Sequence, residues 1–136
     1  NLYRDNFEKK VVAIAIKKKI PILAVCRGFQ LVGNIYSKDK KNMIKTKNHQ
    51  DKNHFIYLLK NNILPNEEKL NVNSYHRVCI KKIDKNFDIL ACSKDKNIEV
   101  AYSKKFRILG FMFHPERNNI SQKKIDQIIK NFLKKK

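Results

Sequence analysis

Two short stretches of this chain hold residue types that together can do nucleophilic chemistry. In Pro21-Ile-Leu-Ala-Val-Cys26-Arg27-Gly28-Phe29-Gln30 a thiol follows an apolar run, Ile20 to Val25, with a small residue two positions away on either side, Ala24 and Gly28. Beyond the thiol, Phe29, Leu31, Val32 and Ile35 recur at helical spacing. Strand, sharp turn and helix with a thiol at the apex is the pattern of a nucleophile elbow, in which crowded backbone admits only small side chains beside the nucleophile. It predicts Cys26 at a helix N-terminus, where the dipole and free N–H groups lower the thiol pKa and favour thiolate. A cysteine in an apolar strand is otherwise a small core residue. The second stretch, Gly110-Phe-Met-Phe-His114-Pro115-Glu116, is an apolar run that ends in His-x-acid. An imidazole there can take a proton from a thiol while the carboxylate two residues on orients the ring. For this to work, two strand tips far apart in sequence must meet.

The elements that must carry those tips are visible as pattern. Residues 1–19 read as a helix: Phe7, Val11 and Ile14 share a stripe widened by Val12, Ala15 and Ile16, with Asp5 and Glu8 near its start and Lys17–Lys19 at its end. Pro21 stops it. Ile20–Cys26 is then a strand and Gly28–Tyr36 a helix. Ser37–Asn53, rich in Lys, Asn and Asp, reads as a loop with short strands and contains His49. Phe55–Leu59 is a strand preceded by His54, and turn residues surround Pro65. Leu70–His76 leads into Val78–Ile80. Asp88–Cys92, Ile98–Tyr102 and Ile108–Phe113 are spaced as a β-meander. Asn118 or Ser121 caps a last amphipathic helix carrying Ile125, Ile128, Ile129 and Phe132. With no repeat and no linker, residues 1–136 make one α/β domain.

Composition narrows the function class. The 136 residues are 42% hydrophobic, enough for one modest core. Net charge is +19, from 31 basic and 12 acidic residues, yet the only arginines are Arg4, Arg27, Arg77, Arg107 and Arg117. Scattered lysines with heavy Asn and Ile usage describe a solvated cationic surface rather than a nucleic-acid groove. Such a surface still attracts an anionic small molecule. No apolar run reaches bilayer length, so no membrane association is expected. Cys26, Cys79 and Cys92 are odd in number and form no C-x-x-C pair, which disfavours a disulfide framework or a zinc site and fits a reducing cytoplasm. Cys79 and Cys92 lie in apolar runs and read as core.

Taken together these stretches resemble a known family. Pro21–Gln30 resembles the Pro-x-Leu-Gly-x-Cys-Arg-Gly-x-Gln elbow of class I glutamine amidotransferases. Val72-Asn-Ser-Tyr-His76 resembles the Val-Asn-Ser-x-His segment of the γ-glutamyl hydrolase-like branch, peptidase family C26. Gly110–Glu116 resembles its Gly-x-Gln-x-His-Pro-Glu strand, and Arg4-Asp5-x-x-Glu8 resembles its Arg-Asp-x-x-Glu helix opening. The resemblance implies a flavodoxin-like fold, a central mostly parallel sheet flanked by helices, with the N-terminal part of the domain missing from this chain. It implies a catalytic triad of Cys26, His114 and Glu116, an oxyanion-hole N–H at Arg27, and substrate contacts at Gln30, Ser74, Tyr75 and His76. A second oxyanion donor is expected from an upstream Gly-Gly loop that nothing here matches. For Gln30 a buried helix-face amide, and for Tyr75 simple packing, stand beside the contact reading. Departures are Ala24 for Gly, Met112 for Gln, and Arg77 where many members carry a second His.

The activity implied is hydrolysis of a γ-glutamyl amide through a γ-glutamyl thioester, with no metal or organic cofactor. The substrate is expected to be a small and anionic γ-glutamyl compound, phosphorylated or nucleotide-bearing, such as one of capsule polysaccharide synthesis. The alternative is a glutaminase component that delivers ammonia to a partner synthetase.

Overall fold

The structure, a computed structural model, is described for residues 1–37, 42–46, 52–59 and 68–135. In chain order the elements are α1 (Leu2–Lys17), β1 (Ile22–Val25), α2 (Arg27–Tyr36), β2 (Met43–Lys45), β3 (His54–Leu58), β4 (Lys69–Val72), β5 (Val78–Ile80), β6 (Asp88–Ser93), β7 (Ile98–Ser103), β8 (Ile108–Phe111) and α3 (Gln122–Lys134). They fall within a residue or two of the sequence pattern. The stretch around His49 and the turn at Pro65 lie outside the described residues.

The strands form one sheet in the order β1-β8-β7-β6-β3-β4, with β5 pairing β7 and β2 pairing β5. The α/β class holds, but the pairing differs from the expected mostly parallel sheet. Among the described strands only β1 and β8 run parallel, with Val25 opposite Phe111, and the other ladders are antiparallel. The reason is connection length. Short turns join β6, β7 and β8, and a short turn can only reverse a strand, whereas parallel neighbours need a long crossover such as the one separating β1 from β8.

Strand alternation sets the layers. Leu109, Phe111 and Phe113 face Ile125, Ile128 and Phe132 of α3. Ile108 and Met112 face the opposite way, toward Phe29 and Val32 of α2. Gly110 lies on that α2 side, and its missing side chain is the contact: a Cβ there would fall within the Phe29 ring, which is fully buried. The apolar stripe of α1 has no such cover. Phe7, Val11 and Ile14 are 62%, 48% and 56% exposed, and only Ile16 reaches the α2-side core. No described element lies against that stripe. No helix of the described residues is long and apolar enough to cross a membrane.

The elbow pattern expects crowding on both sides of the thiol, at Ala24 and at Gly28; Ala24 is buried, but Gly28 is not crowded. A Cβ built at Gly28 meets nothing within 4 Å, and Gly28 has no positive φ. The close approach falls instead at Gly110. Substituting Gly110→Ala should therefore cost about 1–3 kcal/mol through overpacking. Gly28→Ala should be neutral or stabilising by up to about 1 kcal/mol through helix propensity. Urea unfolding of the two variants checks the opposed signs.

Candidate active site

Cys26 sits where β1 gives way to α2, with φ 49° and ψ −108°. A β-carbon in that region costs about 1–3 kcal/mol, so the surrounding structure must impose it. It does so from both sides. The Cys26 N–H donates to the Phe111 carbonyl at 2.7 Å, continuing the parallel ladder one step past Val25, and the Gln30 N–H donates to the Cys26 carbonyl at 3.0 Å, starting the helix. The turn is thus an elbow between a fixed strand and a fixed helix.

Because β1 and β8 are paired neighbours running in the same direction, their C-terminal ends lie side by side. Cys26 follows the end of one and His114 the end of the other. His114 Nδ1 is 2.6 Å from Glu116 Oε1. A carboxylate can only accept, so Nδ1 carries the proton of this bond and Nε2 is the ring nitrogen turned away from Glu116. Burial alone would raise the Glu116 carboxyl, but the His114 hydrogen bond, its own backbone N–H and the His114 and Arg117 charges outweigh that and hold it below the usual value. Among the described hydrogen bonds none joins the Cys26 sulfur to the His114 ring. Contacts of this kind are commonly long before substrate is bound.

The Cys26 thiol does not behave as its helix-start position suggests. Burial pushes it up, the Arg27 backbone N–H pulls it down, and nearby Glu116 and Glu99 push it up again, leaving it above the ordinary value. Desolvation of a thiolate exceeds what one N–H and a ten-residue helix dipole return. The resting group is therefore a thiol rather than a thiolate. Cys79, buried in the core as expected, is pushed up to about 12, mainly by burial; Cys92, expected in the core, is only half-buried, and partial burial raises it as well.

The other expected residues fall into two groups. Tyr75 lies at the strand tips: its ring meets the His114 ring edge-on at 5.7 Å, and the Arg117 guanidinium stacks over it at 4.5 Å. The Arg27 backbone N–H is close enough to the Cys26 thiol to pull its pKa down. The Arg27 side chain turns away to α1, where it pairs with Asp5 and, at 2.7 Å, with Glu8. Arg4 joins Glu8 at 2.6 Å, so the Arg-Asp-x-x-Glu pattern is the clamp that holds α1 to the elbow. Gln30, Ser74 and His76 are more inward. Ser74 and His76 are buried, and the Gln30 amide at 3.2 Å and the His76 ring at 3.0 Å both donate to the Val78 carbonyl. The His76 ring also lies 3.8 Å from the buried Glu99 carboxylate. Sequence reasoning passed over Asn73 and Asn119, which bond the His114 turn, although Asn73 stands inside the Val-Asn-Ser-x-His match.

Comparison with known proteins identifies the family and the fold. The family model of Peptidase C26 matches residues 1–116. The chain is 32% identical over 116 residues to the gamma-glutamyl-CDP-amidate hydrolase of Campylobacter jejuni, covering 85% of this chain and 52% of that protein. It is also 32% identical over 131 residues to a subunit of the glutamine-hydrolyzing GMP synthase of Methanocaldococcus jannaschii, covering 93% of this chain and 65% of that one. The crystal structure of a GMP synthase-type protein from Thermoplasma acidophilum superposes with a TM-score of 0.75 at 20% identity, over 93% of this chain and 62% of that one. The chain therefore spans from about half to just under two thirds of the length of these relatives.

Two measurements check the elbow. Alkylation of Cys26 by iodoacetamide, followed by peptide mass spectrometry across pH, should have its midpoint above the roughly 8.5 of free cysteine, because burial raises the thiol. Reaction already complete at neutral pH would mean a preformed thiolate. Glycine relieves a positive φ, so Cys26→Gly should be more stable than Cys26→Ala by about 1 kcal/mol in urea unfolding.

Proposed function

The chain belongs to the peptidase C26 family, and from that premise we propose that it carries the nucleophilic half of a γ-glutamyl amide hydrolase. The observation that carries the reading is the positive-φ Cys26 at the β1–α2 elbow, beside the strand whose tip holds the His114–Glu116 pair. A non-glycine residue in that conformation is costly to keep, and it lifts one side chain clear of the sheet.

The proposed reaction proceeds in two halves. As the Cys26 sulfur attacks the δ-carbonyl carbon of a γ-glutamyl amide, its proton passes to His114 Nε2, and a C–S bond forms. The backbone N–H of Arg27, which follows the nucleophile in the chain, supplies one donor to the oxyanion. Collapse breaks the C–N bond, and His114 returns the proton to the departing nitrogen, leaving a γ-glutamyl thioester. Water, deprotonated by His114, then cleaves the C–S bond. Glutamate is released and the thiol is restored. Glu116 keeps Nδ1 protonated throughout, so that Nε2 does both transfers.

The C. jejuni relative is named for a γ-glutamyl substrate that bears a nucleoside diphosphate amidate. A chain of net charge +19, with Arg117 stacked on the Tyr75 ring that in turn meets His114, suits an anionic leaving group of that class. A second reading rests on the GMP synthase relatives, which match over more of this chain. Under it the substrate is glutamine and the product ammonia, passed to a synthetase.

The full-length protein should convert a panel of γ-glutamyl amides to glutamate without any partner, as followed by product mass spectrometry. Activity on glutamine alone, and only with a synthetase present, would favour the second reading. In either case Cys26→Ala should lose at least about 1,000-fold in kcat while still binding substrate. Turnover retained in that variant would sink both.

A further inference from the structure

We propose that Asn73 is a positioning residue for the catalytic imidazole: it grips the backbone of His114 and thereby sets where Nε2 points. This rests on the reading of His114 as the base. Asn73 is 2% exposed and directly follows β4, 41 residues before His114 in sequence. Its side-chain amide pairs with the peptide groups of His114 on both sides. The His114 N–H donates to Asn73 Oδ1 at 2.9 Å, and Asn73 Nδ2 donates to the His114 carbonyl at 2.8 Å. An amide offers one acceptor and one donor at the spacing of a residue's own N–H and C=O, so the side chain acts as an added strand residue at the tip of β8. The two partners also dictate which end is oxygen, since an N–H cannot face nitrogen nor a carbonyl face oxygen.

Asn73 is itself held. Its backbone N–H donates to Asn119 Oδ1 at 2.8 Å, and Asn119 Nδ2 reaches the His114 carbonyl at 3.1 Å and the Arg117 carbonyl at 2.7 Å. Gln122, at the start of α3, donates to the Pro115 carbonyl at 2.8 Å. The turn 114–117 is thereby fastened along its backbone, by side chains from a different strand and from the α3 approach. His114 and Glu116 lie in this turn and need no stiffness of their own. His114 lies beyond the last paired residue of β8, so without Asn73 its N–H loses its partner, its carbonyl is left to Asn119 and the Arg117 N–H, and the ring's origin is held from one side only. A displacement of about 1 Å at a general acid–base group costs on the order of 100-fold in rate.

The test is a double-variant cycle. Asn73→Ala and Asn73→Asp should each lower kcat on a γ-glutamyl amide about 100-fold, with KM within about threefold. Rates are normalised to the folded fraction from each variant's urea unfolding curve, which removes any unfolded material. A residue that acts only through His114 should add nothing once the imidazole is gone, so Asn73→Ala placed in a His114→Ala background should change the residual rate by less than about threefold. A further loss of about 100-fold in that background, or no loss in the single variants, would overturn the inference. If His114→Ala alone keeps full turnover, the reading of His114 as acid and base is what fails, and the inference falls with it. Should neither Asn73 variant fold, Asn119→Ala decides. It leaves the Asn73–His114 pair but removes its anchor, so a smaller loss that vanishes in the His114→Ala background is expected, and a loss that persists there would overturn the inference.

Discussion

Parallel pairing of β1 with β8 is the constraint on which the rest depends. Two neighbouring strands that run the same way must end at the same side of the sheet, and whatever follows each of them is brought together without any further contact being needed. The ladder does not stop with the strand. Its last bond runs from the Cys26 N–H to the Phe111 carbonyl, inside the residue that must then turn sharply into α2. Pairing energy along β1 and packing energy along α2 both act on one backbone position. Neither could be relaxed without releasing the other.

Packing supports that arrangement at a single depth. Phe29 lies three residues past the thiol, fully buried, and rests on the bare backbone of Gly110 in the neighbouring strand. Ala24 stands opposite Gly110 in the ladder, so two small residues side by side form the seat for the ring. This fixes how closely α2 approaches the sheet. From outside, the Arg27 fork to Asp5 and Glu8 ties the same turn to α1. Those pairs are a quarter to a third exposed, and screening by water limits what they contribute. Their effect is on placement of α1, which reaches the α2-side core only through Ile16.

Much of this is legible in the residues, and what is not has physical causes. Period-2 and period-3.6 patterns delimit the helices and the core strands, because those segments bury one face or both. β2 is only faintly visible in a Lys- and Asn-rich stretch, since a three-residue strand gives too short a pattern. Strand direction escapes the apolar runs because they do not record it; the turn lengths between β6, β7 and β8 do. Small residues flanking Cys26 signal the elbow, but the glycine that crowding requires is Gly110, on a strand far along the chain. Position at a helix start suggests an acidified thiol, while desolvation, which depends on tertiary cover, prevails. The roles of Asn73 and the Arg4-Asp5-x-x-Glu8 opening are invisible for a similar reason: these side chains act on backbone or charge from distant parts of the chain.

The conformation of Cys26 has one consequence of its own. A residue held against its preference is a loaded spring, and its latch consists of the ladder bond behind it and the Phe29 seat beside it. As temperature rises, a spring is released when the weakest part of its latch gives, while the bulk of the sheet still holds. Inactivation of this molecule is then a local event that comes before the loss of ellipticity, and a thermal trace of folding would overstate the range in which the site keeps its shape.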